Sequence, residues 1–253
     1  MKKLFVTLAI VITNISIYAI ITNVQPFKDQ IEYLRTATNL LNHNLLYSGD
    51  LSYPADFRQF AKRPLGMPTY ILLQHQNVNL IRFSQILISL LLFFVCLSYL
   101  RNLECKKGSF VIFTLLYIAH FALLVHSSFV FADLLLTSVL TITLYVFLDT
   151  KNSLQNKMVW IGFLWAFALA IKPVILPSLL LLPIGVLYVF IKHKVFKWQM
   201  LLPVGVFIST ASLNYRNTGT FEYSSMTTIN LVQYNARLTI ADAFGYDSAI
   251  AFS

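Results

Sequence analysis

An all-α fold, a polytopic membrane helical bundle of about seven spans, is what this sequence predicts, and three observations predict it. Hydrophobic residues make up 57% of its 253 residues and charged ones 11%, whereas a soluble domain carries about a quarter of its residues charged. Mean hydropathy is +0.69, and the apolar residues are gathered in runs long enough to cross a bilayer. Between those runs Lys and Arg fall in alternate connections, the pattern that positive-inside insertion produces. A soluble domain is thereby excluded. The excess of 19 Lys+Arg over 10 Asp+Glu points to membrane lipids as the anionic partner, because the cations are scattered in small groups and form no basic face for nucleic acid.

In sequence order, Met1-Lys2-Lys3 and the apolar stretch Leu4 to Ile21 open like a signal peptide, but no small-x-small cleavage site follows. The stretch therefore reads as an uncleaved first span of about 20 residues. Further apolar runs lie at 80–100, 110–126, 129–148, 158–172, 174–191 and 199–214. They lack the alternation of barrel strands, and helices are the remaining form that satisfies the backbone within lipid. Lys2 and Lys3, then Arg101 with Lys106 and Lys107, then Lys151 and Lys157, then Lys192, Lys194 and Lys197 all share one side if each run crosses once. That side is the cytoplasm. The protein is then a single transmembrane domain, 1–253, with a cytoplasmic N-terminus, a first outer loop at 23–70 and a C-terminal outer segment at 215–253. Cys96 and Cys105 suggest neither a disulfide framework nor a metal site, and His43, His75, His120, His126 and His193 show no zinc-ligand spacing.

The outer loop holds the longest polar stretch before the C-terminal segment, Phe27 to Tyr70. Ile31, Leu34, Ala37, Leu41 and Leu45 recur at steps of three and four, which predicts an amphipathic helix lying along the membrane surface. Asn39, Asn42, His43 and Asn44 supply its polar side. Asp29-Gln30-Ile31-Glu32 has capping-box spacing, with Asp29 as N-cap and Glu32 at the third helical position. That structural role is compatible with a catalytic one. Tyr47 to Phe60, with Gly49, Asp50, Pro54 and Asp56, reads as an irregular loop. Lys62 and Arg63 then precede Pro64, Gly66 and Pro68, where the sequence turns apolar again.

Later charges stand at the same predicted face: Asp133 at the outer start of the fourth span, Lys172-Pro173 at the end of the fifth, and Arg216-Asn217 after the seventh. Taken singly, Lys172 and Arg216 fit cations that snorkel to the interface, and Asp133 fits a helix N-terminal charge. Together, two carboxylates and three cations from separate segments end at one depth. Charges near hydrocarbon are costly and usually face a polar cavity.

The order of these residues resembles the GT-C superfamily of glycosyltransferases that use polyprenyl-phosphate sugars. Among them it is most similar to bacterial relatives of the dolichyl-phosphate-mannose protein mannosyltransferases and the aminoarabinose transferases. The resemblance is carried by Asp29, Tyr33, Ala37 with Asn39-Leu40, and Arg63-Pro64-Leu65-Gly66-Met67-Pro68 in the first loop. It continues in Asp133 after Ser127-Ser128-Phe129-Val130-Phe131-Ala132, in Lys172-Pro173, and in Arg216-Asn217, Gly219, Phe221, Ser224-Ser225 and Asn230-Leu231. The sequence departs from the family at Gln30, where many relatives carry a second acid. Relatives also continue through further spans, so the resemblance makes this sequence short at its C-terminal end.

The resemblance implies an inverting transfer of a sugar from a polyprenyl-phosphate donor to an acceptor hydroxyl on a glycan, lipid or protein, at the outer face of a bacterial plasma membrane. It implies Asp29 as the base, Asp133 and Glu32 as acceptor-side or secondary acids, and Arg63, Lys172 and Arg216 as donor phosphate-binding residues. The chemistry suits one base, since a phosphate is already a good leaving group; a glycosidase would need a second carboxylate as general acid. No cofactor is firmly implied, and a divalent metal is left open. Two other classes fit the same charges, a lipid-linked-sugar transporter or flippase and a non-catalytic membrane partner. The first is disfavoured by the lack of an internal repeat and of matched Gly/Pro-broken spans.

Overall fold

A computed structural model describes residues 28–103, 105–119 and 129–225. The first span expected at Leu4 to Ile21, the second half of the 110–126 run, the Ser127-Ser128 pair and everything after Ser225 lie outside the described residues. Every regular element among the described residues is helical, and an isolated bridge joins Tyr47 to Phe60. Helix α1 is Lys28–His43, α2 is Gly66–Leu73, α3 is Val78–Asn102 and α4 is Lys107–Ala119. Helix α5 is Ala132–Leu148, α6 is Leu154–Ile171, α7 is Leu181–His193 and α8 is Leu202–Thr218. Tight 3-10 turns lie at Phe57–Gln59, Pro173–Leu180 and Trp198–Leu201.

The six apolar runs after the first loop appear as helix over most of their described parts. Three stretches have the length and hydropathy to cross a membrane: Val78–Asn102, Leu154–Ile171 and Pro173–His193, with mean hydropathies of 2.3, 1.4 and 2.6. Their apolar side chains remain uncovered, among them Leu87, Leu91, Trp160, Phe163, Ile184 and Leu187. Water would oppose such a girdle, and lipid tails accept it. The protein is a helical membrane protein. Helix α5 is apolar but shorter; its 17 residues span about 26 Å at 1.5 Å each. Local sequence fixes the element ends. Asn77 caps α3, its side chain accepting from the Asn79 and Leu80 amides, and Ser153 caps α6 through the Asn156 amide. Pro173 and Pro177 hold the backbone after α6 in a 3-10 turn before α7 begins.

The first loop folds as a helix where its periodicity predicts one, with Ala37 and Leu34 facing the core, but the helix is rotated so that one edge of the predicted apolar face is outward. Ile31 and Leu41 are exposed, while Gln30, Glu32, Tyr33, Thr36, Ala37 and Asn39 are buried. Polar residues take the inner face because the loop supplies partners for them. Asn39 donates to the carbonyls of Tyr47 and Gly49 at 2.8 and 3.1 Å, and Gln30 accepts from the Val130 amide at 3.4 Å. The capping box is also revised. Helix α1 starts at Lys28, so Asp29 sits inside the first turn, and the Glu32 carboxylate goes to Lys62 and Arg63 instead of the helix start.

The main core lies where this loop meets the ends of the long helices. Tyr33 and Ala37 of α1, Met67 and Ile71 of α2, and Ile81 of α3 pack with Val130, Leu135, Ala168 and Ile171. Gly66 makes a close backbone approach here. A Cβ there would lie 2.7 Å from the carbonyl carbon and oxygen of Ala170, so the Arg63-Pro64-Leu65-Gly66 corner presses directly on the last turn of α6. Lys172 follows that turn.

Candidate functional site

Helix α1 and the backbone around Ala61 build the first half of the site. The Tyr47–Phe60 bridge pins the loop, with Ser48 N–H donating to the Gln59 carbonyl at 3.0 Å and Ala61 N–H to the Leu46 carbonyl at 2.6 Å. Ala61 is fully buried and has φ +47°, a left-handed conformation unusual for a residue with a Cβ. This turn aims Lys62 and Arg63 at α1. Lys62 Nζ donates to Glu32 Oε1 at 2.7 Å. Arg63 donates to Glu32 Oε2 from Nε at 2.9 Å and from a terminal nitrogen at 2.6 Å, and that nitrogen also reaches Asp29 Oδ1 at 2.6 Å.

The four groups differ in exposure. The Glu32, Arg63 and Lys62 side chains are 6%, 9% and 13% exposed, against 50% for Asp29. Burial raises the Glu32 pKa, but the Lys62 hydrogen bond and the Arg63 charge outweigh it and hold the carboxyl below its usual range. Burial works against the charge on Arg63, and Tyr33, Asp29 and Glu32 together keep that guanidinium firmly protonated. Asp29 Oδ2 has no bonded partner among the described residues. Glu32 is thus committed to structure, while the half-exposed Asp29 keeps one oxygen without a protein partner among the described residues.

The second half is the pair Lys172–Asp133, 2.5 Å apart with side chains 30% and 46% exposed. Lys172 is placed by the end of α6, and Asp133 by the first turn of α5. Tyr33 links the two halves. Its buried ring lies beneath the Arg63 guanidinium, 4.7 Å from ring centroid to guanidinium carbon. Burial pushes its hydroxyl up to about 12, and the charges of Arg63, Asp29 and Asp133 all act upon it. Two carboxylate–cation systems from four segments therefore share one aromatic neighbour.

The segment after α8 closes onto this region. Tyr223 donates its hydroxyl to the Leu169 carbonyl at 2.6 Å, and Ser225 donates to the Arg58 carbonyl at 2.9 Å. Ser224 donates to the Lys62 carbonyl at 3.5 Å. Arg216 is different: it is exposed in the last turn of α8, with no ion pair to Asp29, Glu32 or Asp133. Two open grooves of about 520 and 480 Å3 flank α1 and share Arg35 and Asp50, which approach to 3.7 Å. Neither is lined by Asp29, Arg63, Asp133 or Lys172.

Sequence reasoning missed three features. Lys62 is the second partner of Glu32, and Gln30 ties α1 to the strap before α5; both needed tertiary pairing to be seen. Arg82 is the third, since a single Arg near a helix end reads as a snorkelling cation. Compared with known proteins, the sequence and fold match no family model, no curated protein and no solved structure.

Proposed function

We propose that this protein is a GT-C-type glycosyltransferase that moves a sugar from a polyprenyl phosphate to an acceptor hydroxyl at the outer face of a plasma membrane. In this reading the protein crosses the bilayer seven times with its N-terminus in the cytoplasm, and the loop that carries α1 lies outside. The supporting observation is the half-exposed Asp29 carboxylate, oriented through one oxygen by buried Arg63 and open at the other. Asp29 takes the proton of the acceptor hydroxyl, whose oxygen forms the new bond to the anomeric carbon. The bond from that carbon to the phosphate oxygen breaks, and the phosphate leaves with the electron pair, inverting the sugar centre.

Glu32 acts indirectly by fixing Arg63, so its role is positioning. Lys172 supplies positive charge to the departing phosphate. Its partial exposure lets it exchange Asp133 for a ligand, and Asp133 holds the ammonium in place when the site is empty. Arg216 adds charge from the end of α8.

Membranes containing the protein, incubated with radiolabelled polyprenyl-phosphate sugars, test the proposal. Release of sugar from the lipid onto an acceptor is expected, and Lys172→Ala raises the donor concentration needed. If no donor is consumed while the protein co-purifies stoichiometrically with a second membrane protein, the non-catalytic partner reading replaces the enzyme.

A further inference from the structure

The smaller of the two grooves beside α1, about 480 Å3, has a wall of helix and a wall of loop. Lys28, Ile31, Glu32 and Arg35 recur at steps of three and four, so they share one face of α1, and the loop from Tyr47 to Gln59 stands opposite. Its volume is in the range of small-molecule sites. The loop wall is built rather than slack. Tyr47 is buried, and its hydroxyl accepts from the Asp56 amide at 3.1 Å. A Cβ at Gly49 would lie 2.5 Å from that hydroxyl, so the glycine makes room for the phenol that anchors Asp56.

Three planar polar groups on this wall are each held through one atom. Asp50 Oδ1 accepts from the Ser52 amide and hydroxyl at 3.0 and 2.6 Å, and Asp56 Oδ1 accepts from the Arg58 amide and Nε at 2.9 and 3.1 Å. Gln59 Oε1 accepts from the Ser48 hydroxyl at 2.7 Å. The second atom of each group, Oδ2 of Asp50 and Asp56 and Nε2 of Gln59, makes no hydrogen bond among the described residues; Arg35 stands 3.7 Å from Asp50 Oδ2. Oriented acceptors and donors thus line one groove.

That lining selects its ligand. Lys28 and Arg35 balance Asp50 and Asp56, while the Glu32 carboxylate is taken up by Lys62 and Arg63, so a ligand of either net charge gains little. A sugar hydroxyl both donates and accepts, and vicinal hydroxyls suit carboxylate oxygens set beside amide, ammonium and guanidinium donors. Tyr53, a lining residue that is 72% exposed, offers a broad aromatic face to the C–H side of a sugar ring. An extended peptide has no strand edge to join among the described residues.

We propose that this groove binds a neutral saccharide and presents it to Asp29 as the acceptor. Lys28 precedes Asp29 in the first turn of α1, and Glu32 shares Arg63 with Asp29, which sets this end of the groove beside the half-exposed carboxylate. The role as acceptor rests on the sugar-transfer reading. The saccharide site rests on the groove alone.

The test is saturation-transfer NMR on the purified full-length protein, in a detergent without a sugar headgroup. Maltotriose, mannotriose and xylotriose are the probes, with trialanine as the peptide control. Saturable binding of at least one trisaccharide is expected, and weaker binding of trialanine. Tyr53→Ala should weaken saccharide affinity about tenfold by removing the ring face, and Tyr53→Phe should keep it within about twofold, because the ring remains. Asp56→Asn should weaken it severalfold, and His43→Ala, in the other groove, should leave it unchanged. Failure of every trisaccharide to bind, trialanine binding as tightly as the sugars, or an affinity indifferent to both Tyr53→Ala and Asp56→Asn overturns the proposal. Transfer is read separately: Tyr53-dependent saccharide binding in a protein that consumes no polyprenyl-phosphate sugar upholds the site and removes the sugar-transfer reading, whereas donor consumption without saccharide binding removes the site and keeps that reading.

Discussion

At the scale of residues, the division of labour between Glu32 and Asp29 decides what each substitution does. Glu32 is buried against two cations, and removing one member of a buried pair leaves charge uncompensated, which costs on the order of 3 kcal/mol. Glu32→Gln should therefore lower stability substantially at neutral pH. The sign of the pH effect follows from its lowered pKa. The contribution of Glu32 is complete above the unfolded value of about 4.3 and fades as pH falls through the lower folded value. Thermal unfolding should show wild type and Glu32→Gln far apart at pH 7 and converging well below pH 4; a gap independent of pH contradicts the ion network. Ala61 offers a second check, since its φ of +47° strains any residue with a Cβ. Ala61→Gly should be tolerated or mildly stabilising, by up to about 1 kcal/mol, whereas Ala61→Val should misplace Lys62 and Arg63 and cost considerably more.

At the scale of elements, the existence of helices was legible and their orientation was not. The six apolar runs announce themselves through length and composition, and most of their described parts are helical in the fold. The 3.6-residue period also marks α1, but periodicity reports which residues share a face, and not which face turns inward. Burial of Glu32, Asn39 and Gln30 depends on Lys62, Tyr47 and Val130, partners up to 100 residues away. Likewise Asp29, Arg63, Asp133 and Lys172 were identifiable as unusual charges, while their pairing was set by the corner at Gly66. A Cβ at Gly66 would meet the backbone of α6, which cannot yield as a flexible side chain would. Gly66→Ala should lower Tm and weaken activity together. Gly205→Ala, on α8 with nothing within 4 Å of the added carbon, should do neither. Equal behaviour of the two variants would remove the α2–α6 contact from its proposed role.

At the scale of the whole molecule, the proposed topology has the loop carrying α1 outside and the connection between α5 and α6 in the cytoplasm. Single cysteines introduced as Asp50→Cys and Ser153→Cys, in a background lacking Cys96 and Cys105, test this with an impermeant thiol reagent. Intact cells should label position 50 and not position 153; the reverse pattern inverts the molecule and detaches the site from an external acceptor. The expected orientation rests on the basic connections alone, because charge asymmetry acts during insertion. The central claim concerns Asp29, and turnover by Asp29→Asn at saturating polyprenyl-phosphate sugar tests it most directly. The amide can still accept from Arg63, so the fold and the donor concentration giving half-maximal binding should stay near those of wild type. Transfer should fall by at least a thousandfold, since an amide does not take the acceptor proton at neutral pH. An Asn variant that folds, binds donor and transfers sugar at the wild-type rate would contradict the account and leave Asp29 as a partner for Arg63.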